Sequence, residues 1–372
     1  MTSELFHHDL KFPLESGEYL PGFQLKYSTA GTLNKERSNV IWVTHALTGS
    51  SDVLDWWGGL FKPTGAFPLD QYFVICANAL GGCYGSTGPL SINRETGKTF
   101  YHTFPTLTNR DIVNALDLLR KHLEIEKIHT LIGGSLGGQQ VLEWALLKQD
   151  VAEHIVPIAC NAQHSPWGIA FNEAQRMAIA ADATWKDDSA RAGVEGMKAA
   201  RAVAMISYRT YAIYGSTQSE KNNDVIDNFR ASTYQRYQGD KLAHRFNAFT
   251  YWTFSKAMDS HNVSRTRESQ TQWSVSAQAT GVTVEVLKQI KAKTLVVGIE
   301  SDVLFPLSEQ RFLAESIPHA EFAVLQSDYG HDGFLVEFDQ LNDTLKGFYQ
   351  KTHQPLQSGK SSKTKNILTS VF

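Results

Sequence analysis

The segment Gly133-Gly134-Ser135-Leu136-Gly137 constrains this chain more than any other. A short apolar strand pattern at 128–132 precedes it, and a helical pattern with Val141, Leu142, Ala145 and Leu146 on one face follows it. A serine in G-x-S-x-G at such a junction sits on a sharp strand-to-helix turn, with small neighbours where the chain folds back on itself. That turn strains the serine backbone and exposes its hydroxyl. The start of the helix also aims backbone N–H groups, led by that of Leu136, at the place where an oxyanion would form. A bland glycine turn opening a helix would not need strand, motif and helix in register. A dinucleotide fingerprint fails, because G-x-G-x-x-G would require glycine at position 135.

The rest of the chain supplies a sheet for this turn. Runs at 40–44, 72–76, 155–159, 294–298 and 322–325 read as buried strands, since short, continuous apolar runs suit a sheet covered on both faces. Between the second of these and the strand at 128–132, Thr108 with Asp111 three residues on predicts a helix start. Ile112, Leu116, Leu119 and Leu123 then recur at helical spacing. Strand, helix, strand implies a parallel sheet with helices on both faces. From about 162 to about 285 the pattern changes to helical segments, among them 196–215, with no convincing buried strand. The expected organisation is an α/β core at 1–161 and 286–353, a helical lid inserted at 162–285, and a mobile polar tail at 354–372.

Composition excludes several classes of function. With 42% hydrophobic and 20% charged residues over 372 positions, the chain can bury a large core and is not disordered. A balance of 35 Lys+Arg against 38 Asp+Glu leaves no general polycation for nucleic acid or an anionic membrane, so the substrate is expected to be small. Three cysteines supply no disulfide framework, which points to a reducing compartment. No apolar stretch of about 18 residues and no leader-like N-terminus is present, so a soluble, cytoplasmic protein is expected. Metal chemistry has no support in H-E-x-x-H or paired-cysteine spacing, and His7-His8 reads as solvated.

A serine hydroxyl needs a base, and the base needs an orienting carboxylate, in the chain order Ser, Asp or Glu, His. Asp302, just beyond the strand at 294–298, and His331, beyond the strand at 322–325, fit that order on loops leaving strand ends. Glu300 is the main rival to Asp302. The second oxyanion donor is expected from the loop after 40–44, with the backbone N–H of Leu47 as candidate and His45 as a structural residue.

Several segments resemble the homoserine O-acetyltransferase family, acyltransferases of the α/β-hydrolase fold from methionine biosynthesis. They are HALTG (45–49), NALGGCYGSTGP (78–89), FPTLTNRD (104–111), GGSLGGQQVLEWA (133–145), AFNEAQRMAI (170–179), ARAVAMISYR (200–209) and YGHDGFLVE (329–337), spread over nearly 300 residues. The elbow alone is generic; GGCYGSTGP and GHDGFLVE are far more specific. The resemblance implies a triad of Ser135, Asp302 and His331, settling Asp302 over Glu300. It implies acceptor binding by Arg201 and Asp332, with Tyr208 lining that site. A guanidinium can grip an α-carboxylate through two parallel hydrogen bonds, and a carboxylate can hold an α-ammonium. By spacing alone, Arg201 and Asp332 would pass as a helix-face arginine and a helix-start acid.

The same resemblance implies acetyl-CoA as cosubstrate with no bound cofactor, L-homoserine as acceptor, and a homodimer joined through lid helices. Two positions depart from the family pattern. Leu136 replaces the methionine usual after the nucleophile, and Tyr84 stands where a basic residue is common. The second leaves the acyl-donor contacts open. Succinyl-CoA or L-serine as partners, a carboxylester hydrolase with the same triad, and a binding protein on the same scaffold remain alternatives at this stage.

Overall fold

The computed structural model describes residues 1–269, 272–274 and 280–352; the tail expected to be mobile, 354–372, lies outside the described residues. Eight strands form the main sheet: β1 (Thr2–His8), β2 (Phe23–Gly31), β3 (Val40–Thr44), β4 (Phe73–Ala77), β5 (Ile128–Gly134), β6 (Ala152–Ile158), β7 (Lys293–Ile299) and β8 (Glu321–Leu325). Their order across the sheet is β1-β2-β4-β3-β5-β6-β7-β8. Strand β2 runs against both its neighbours, and all pairs from β4 to β8 are parallel. This is the mostly parallel α/β-hydrolase arrangement that the motif and the strand runs predict.

Alternation along the strands builds two cores. Val40 and Trp42 face one side with Ile75 and Leu131, while Ile41 and Val43 face the other with Val74 and Ile132. The first layer is closed by α1 (Asn109–His122), which buries Ile112, Leu116 and Leu119, and by α2 (Leu136–Leu147). Trp144 of α2 meets Trp42 edge-on at 5.1 Å between ring centroids. At the start of α1, the Thr108 hydroxyl accepts the Asp111 N–H and the Asp111 carboxylate accepts the Thr108 N–H, the reciprocal cap that the spacing predicts.

The strand predicted at 40–44 keeps its bounds, those at 128–132, 294–298 and 322–325 lengthen by one or two residues to Ile128–Gly134, Lys293–Ile299 and Glu321–Leu325, and two others shift. The strand predicted at 72–76 begins at Phe73, because the Tyr72 N–H is spent on Pro68 in the preceding turn. The strand predicted at 155–159 spans Ala152–Ile158, because Ala159 turns out of the sheet at a φ of 45°. Strands β1 and β2 have no counterpart in that expectation; β1 is mostly exposed and carries no apolar run.

Between β6 and β7 lie α3 (Pro166–Ala180), α4 (Val194–Tyr208), α5 (Tyr211–Gln218), α6 (Arg230–Ala243) and α7 (Ala248–Asp259). Helix α4 packs against α3, α6 and α7, and also touches the turn that carries His331. The single helix predicted over 196–215 is broken: Arg209 and Thr210 are extended, and the Thr210 hydroxyl accepts the Ile213 N–H to start α5. A short antiparallel hairpin, Thr266–Ser269 with Gln272–Ser274, adds strand where helices alone are expected. A helix at Thr280–Leu287 straddles position 285, the expected end of the insertion. Helices α8 (Leu307–Ser316) and α9 (Phe338–Thr352) follow β7 and β8.

Candidate active site

The turn from β5 into α2 is as tight as its glycines require. A Cβ on Gly133 would stand 2.1 Å from the Thr44 hydroxyl, and one on Gly137 would stand 2.2 Å from the Thr44 carbonyl. Strand β3 therefore presses directly on the elbow, and the Thr44 hydroxyl donates to the Gly137 carbonyl at 2.9 Å. Ser135 is held at φ 58°, ψ −124°, a region that L residues rarely occupy. As the first residue of α2, Leu136 offers a backbone N–H with no intrahelical acceptor.

The loop after β3 is fixed by His45. Its Nδ1 donates to the Ala46 carbonyl at 2.8 Å while Nε2 accepts the Ala79 N–H at 3.0 Å, so the ring is locked as one neutral tautomer. Burial lowers the pKa of this histidine. The next residues, Ala46 to Ser50, line a cavity of about 380 Å³ that also contains Ser135, His331, Asp332, Arg201 and Tyr208. Leu47 and Ser135 thus face one space.

His331 lies on a tight turn, Gly330–Leu335, after β8. Its Nδ1 donates to Asp302 Oδ2 at 2.7 Å, and Asp302 Oδ1 accepts the N–H groups of Leu304 and Phe305 at 2.8 and 2.9 Å. Asp302 is buried, whereas Glu300 is exposed, so Asp302 is the carboxylate that meets the imidazole. Phe305 stacks on the His331 ring at 5.2 Å, Tyr208 lies 5.5 Å away, and Phe334 closes the edge at 5.7 Å. Burial opposes the imidazolium, yet the Asp302 charge and hydrogen bond, aided by Asp332, outweigh it and hold the histidine above its ordinary pKa.

A second group of side chains enters from the helical insertion. Arg201 of α4 has its guanidinium 5.5 Å from the Tyr208 ring centre, and among the described residues it has no carboxylate partner. The hydroxyl of Tyr251 donates to Gln175 at 2.6 Å. Asp332 lies at the cavity wall with Oδ2 3.1 Å from a terminal nitrogen of Arg209.

Sequence reasoning passes over Arg209, Lys241 and Arg245. Lys241 and Arg245 stand at the cavity mouth, where Arg245 donates to the Thr48 carbonyl at 2.7 Å and to the Tyr84 hydroxyl at 2.5 Å. A cation therefore stands beside Tyr84 after all, supplied from the end of α6. Spacing along a polar helix gave no signal for it. The group His129, Glu153 and His154, whose ligand atoms lie within 4.8 Å of one another, is the only such metal-ligating cluster among the described residues, and it is not part of this cavity.

Fold and cavity define a protein of the α/β-hydrolase class with a serine elbow and a histidine–aspartate pair. A family model described as alpha/beta hydrolase fold matches residues 39–338. The chain is 48% identical over 349 residues to the homoserine O-acetyltransferase of Cyclobacterium marinum, covering 94% of this chain and 95% of the relative. Its fold matches the crystal structure of homoserine O-acetyltransferase from Bacillus anthracis at a TM-score of 0.82 and 23% identity, covering 96% of this chain and 99% of the other. Esterase E22 is nearly as close in shape, with a TM-score of 0.79 at 23% identity and coverage of 93% and 99%. Shape alone therefore does not separate transfer from hydrolysis. On sequence, the chain belongs to the homoserine O-acetyltransferase family.

Proposed function

We propose that this chain moves an acetyl group from acetyl-CoA to the side-chain hydroxyl of L-homoserine, a step of methionine biosynthesis, through an acyl-serine intermediate. One observation carries the reading. A single cavity holds Ser135 and His331 together with a cation, Arg201, and an anion, Asp332, the two charges that the carboxylate and ammonium of an amino acid require. His331, oriented by Asp302, takes the Ser135 proton as the hydroxyl attacks the thioester carbonyl. The Leu47 and Leu136 N–H groups receive the oxyanion, and its collapse expels the CoA thiolate, which takes the proton from His331. The homoserine hydroxyl, deprotonated by His331, then attacks the acyl-serine and releases Ser135.

Arg201 grips the acceptor carboxylate, Asp332 the ammonium, and Tyr208 closes the wall between them. Lys241 and Arg245 at the mouth favour a polyanionic acyl donor, the chemistry of CoA phosphates. No residue of this scheme requires a bound cofactor or metal. Residues 162–285 act as the lid, narrowing access so that the acyl-serine meets homoserine rather than water.

Thiol release from acetyl-CoA with and without homoserine tests the reading. Release that depends on homoserine and yields O-acetylhomoserine by mass is the expected result; equal release without acceptor would make the protein a hydrolase. Running succinyl-CoA and L-serine beside them tests the choice of partners; the two acceptors, one methylene apart, differ by only about 1–3 kcal/mol of pocket discrimination. Ile206 of α4, Tyr211 of α5 and Ile226 between α5 and α6 are exposed, at 60%, 97% and 92%, which supports a homodimer through this part of the insertion. Light scattering after gel filtration checks it. The three cysteines are free, and no described helix is long and apolar enough to cross a membrane, which favours the cytoplasm.

A further inference from the structure

We infer that Arg209 is a positioning residue for the acceptor: it fixes Asp332 with one oxygen engaged and the other turned to the cavity, and it offsets the field of Asp332 on the catalytic base. The inference rests on the reading that Asp332 takes the substrate ammonium.

The geometry comes from the break between α4 and α5. Arg209 is the first extended residue after α4, and the chain there is clamped to the loop that carries His331. The Thr210 hydroxyl donates to the Asp328 carbonyl at 2.5 Å. Gly330, at φ 63°, lies so close to the lid backbone that a Cβ would stand 2.8 Å from the Tyr208 carbonyl. Between these two contacts, Arg209 reaches Asp332 Oδ2 at 3.1 Å, while its guanidinium lies 5.3 Å from the centre of the Tyr329 ring. The pair is mostly withdrawn from water, with 20% and 16% of the two side chains exposed. Among the described residues no protein donor reaches Asp332 Oδ1, although Asp332 lines the cavity.

Two consequences follow from charge alone. A carboxylate held by a planar cation at one oxygen has its second oxygen fixed in direction, which suits capture of an ammonium at one position. Asp332 also adjoins His331, and its negative charge favours the imidazolium. Arg209 is the counter-charge that limits this. The groups around His331 are Asp302 at Nδ1, Asp332 next in the chain, and Tyr208 against the ring with Arg201 beside it; Ser135, Asp55, Lys241 and Arg245 line the same cavity. None of these cations pairs with Asp332; among the described residues Arg209 is the one that does.

The test uses Arg209→Met, Arg209→Gln, Arg209→Lys, Asp332→Asn and the double variant R209M/D332N in the full chain. Two quantities are read: the thiol burst with acetyl-CoA alone as a function of pH, and steady-state turnover with homoserine and with 4-hydroxybutyrate, which lacks the ammonium. In R209M the homoserine KM should rise about tenfold, the worth of one charge-assisted contact. The plateau of the burst and the use of 4-hydroxybutyrate should stay within about twofold. The acid limb of the burst should move to higher pH in R209M and R209Q, return toward wild type in R209K, and fall below wild type in D332N and in the double variant.

Wild-type homoserine KM and an unmoved acid limb in R209M and R209Q would overturn the role of Arg209. If R209M does not fold, as read by its thermal melt, R209Q and R209K decide the same question. An unchanged homoserine KM in D332N would instead overturn the reading of Asp332 itself, whatever Arg209 does.

Discussion

The two halves of the candidate site are built by different means. The core half, Ser135, Asp302 and His331, stands at the ends of β5 and β7 and after β8, and is held by buried surroundings: a strained φ at Ser135, two backbone N–H groups on Asp302, and the Asp302 carboxylate and the Phe305 and Phe334 rings at His331. The insertion half, Arg201, Tyr208 and Arg209, belongs to one helix and its end, and is held through side chains that are partly exposed. Rigid backbone suits a reaction that must position an oxyanion to a fraction of an ångström. Side chains on a helix suit recognition, where specificity is tuned by single groups without disturbing the chemistry.

That contrast predicts separable defects. The largest effect should come from Ser135→Ala, which should abolish the acyl-enzyme seen by intact mass and lower turnover by about 10⁴ or more; an acetylated S135A protein would end the comparison at once. Asp302→Asn should cost about 10³–10⁴ in the acylation rate. With the Asp302 charge gone, burial is left as the dominant influence on His331, so its pKa falls and the acid limb of the pH profile should move to lower pH, against the raised position expected of the wild type. Arg201→Ala should raise the homoserine KM by about 10–100-fold while acylation by acetyl-CoA stays within about twofold. Loss of acylation in R201A would show that the two halves are not independent. The smallest effect is expected from Tyr208→Phe, a severalfold change in homoserine KM from the loss of a hydroxyl at the cavity wall.

The same division decides what could be read in the sequence. The strands Val40–Thr44, Phe73–Ala77, Ile128–Gly134, Ala152–Ile158 and Lys293–Ile299 are legible because both faces are covered, so their apolar runs are continuous, and the edge strand β8 is legible because it keeps such a run although it is half-exposed; β1 and β2 mix exposed polar residues into theirs, which dilutes the signal. The elbow is legible because close backbone approach at Gly133 and Gly137 admits no side chain. Topology brought Asp302 and Glu300 forward as rivals, and only burial separates them: Asp302 turns inward, Glu300 outward. In the insertion, the break at Arg209 is hidden because Arg209 and Thr210 fit a helix by composition, and the cap comes from a hydroxyl one residue further on. Lys241 and Arg245 looked like any cations on a polar helix, since what makes them notable is a cavity mouth that sequence spacing does not show.

One feature of the sheet also bears on how the enzyme comes into being. Strand β7 lies directly beside β6, so the chain between them leaves and re-enters the sheet at neighbouring positions. During synthesis the strands up to β6 can assemble with the serine turn complete, yet β7 and the imidazole emerge only after the whole insertion has been made. A chain that stops short of His331 would thus carry Ser135 without its imidazole, and by the time the two can meet, the helices between β6 and β7 have already been made.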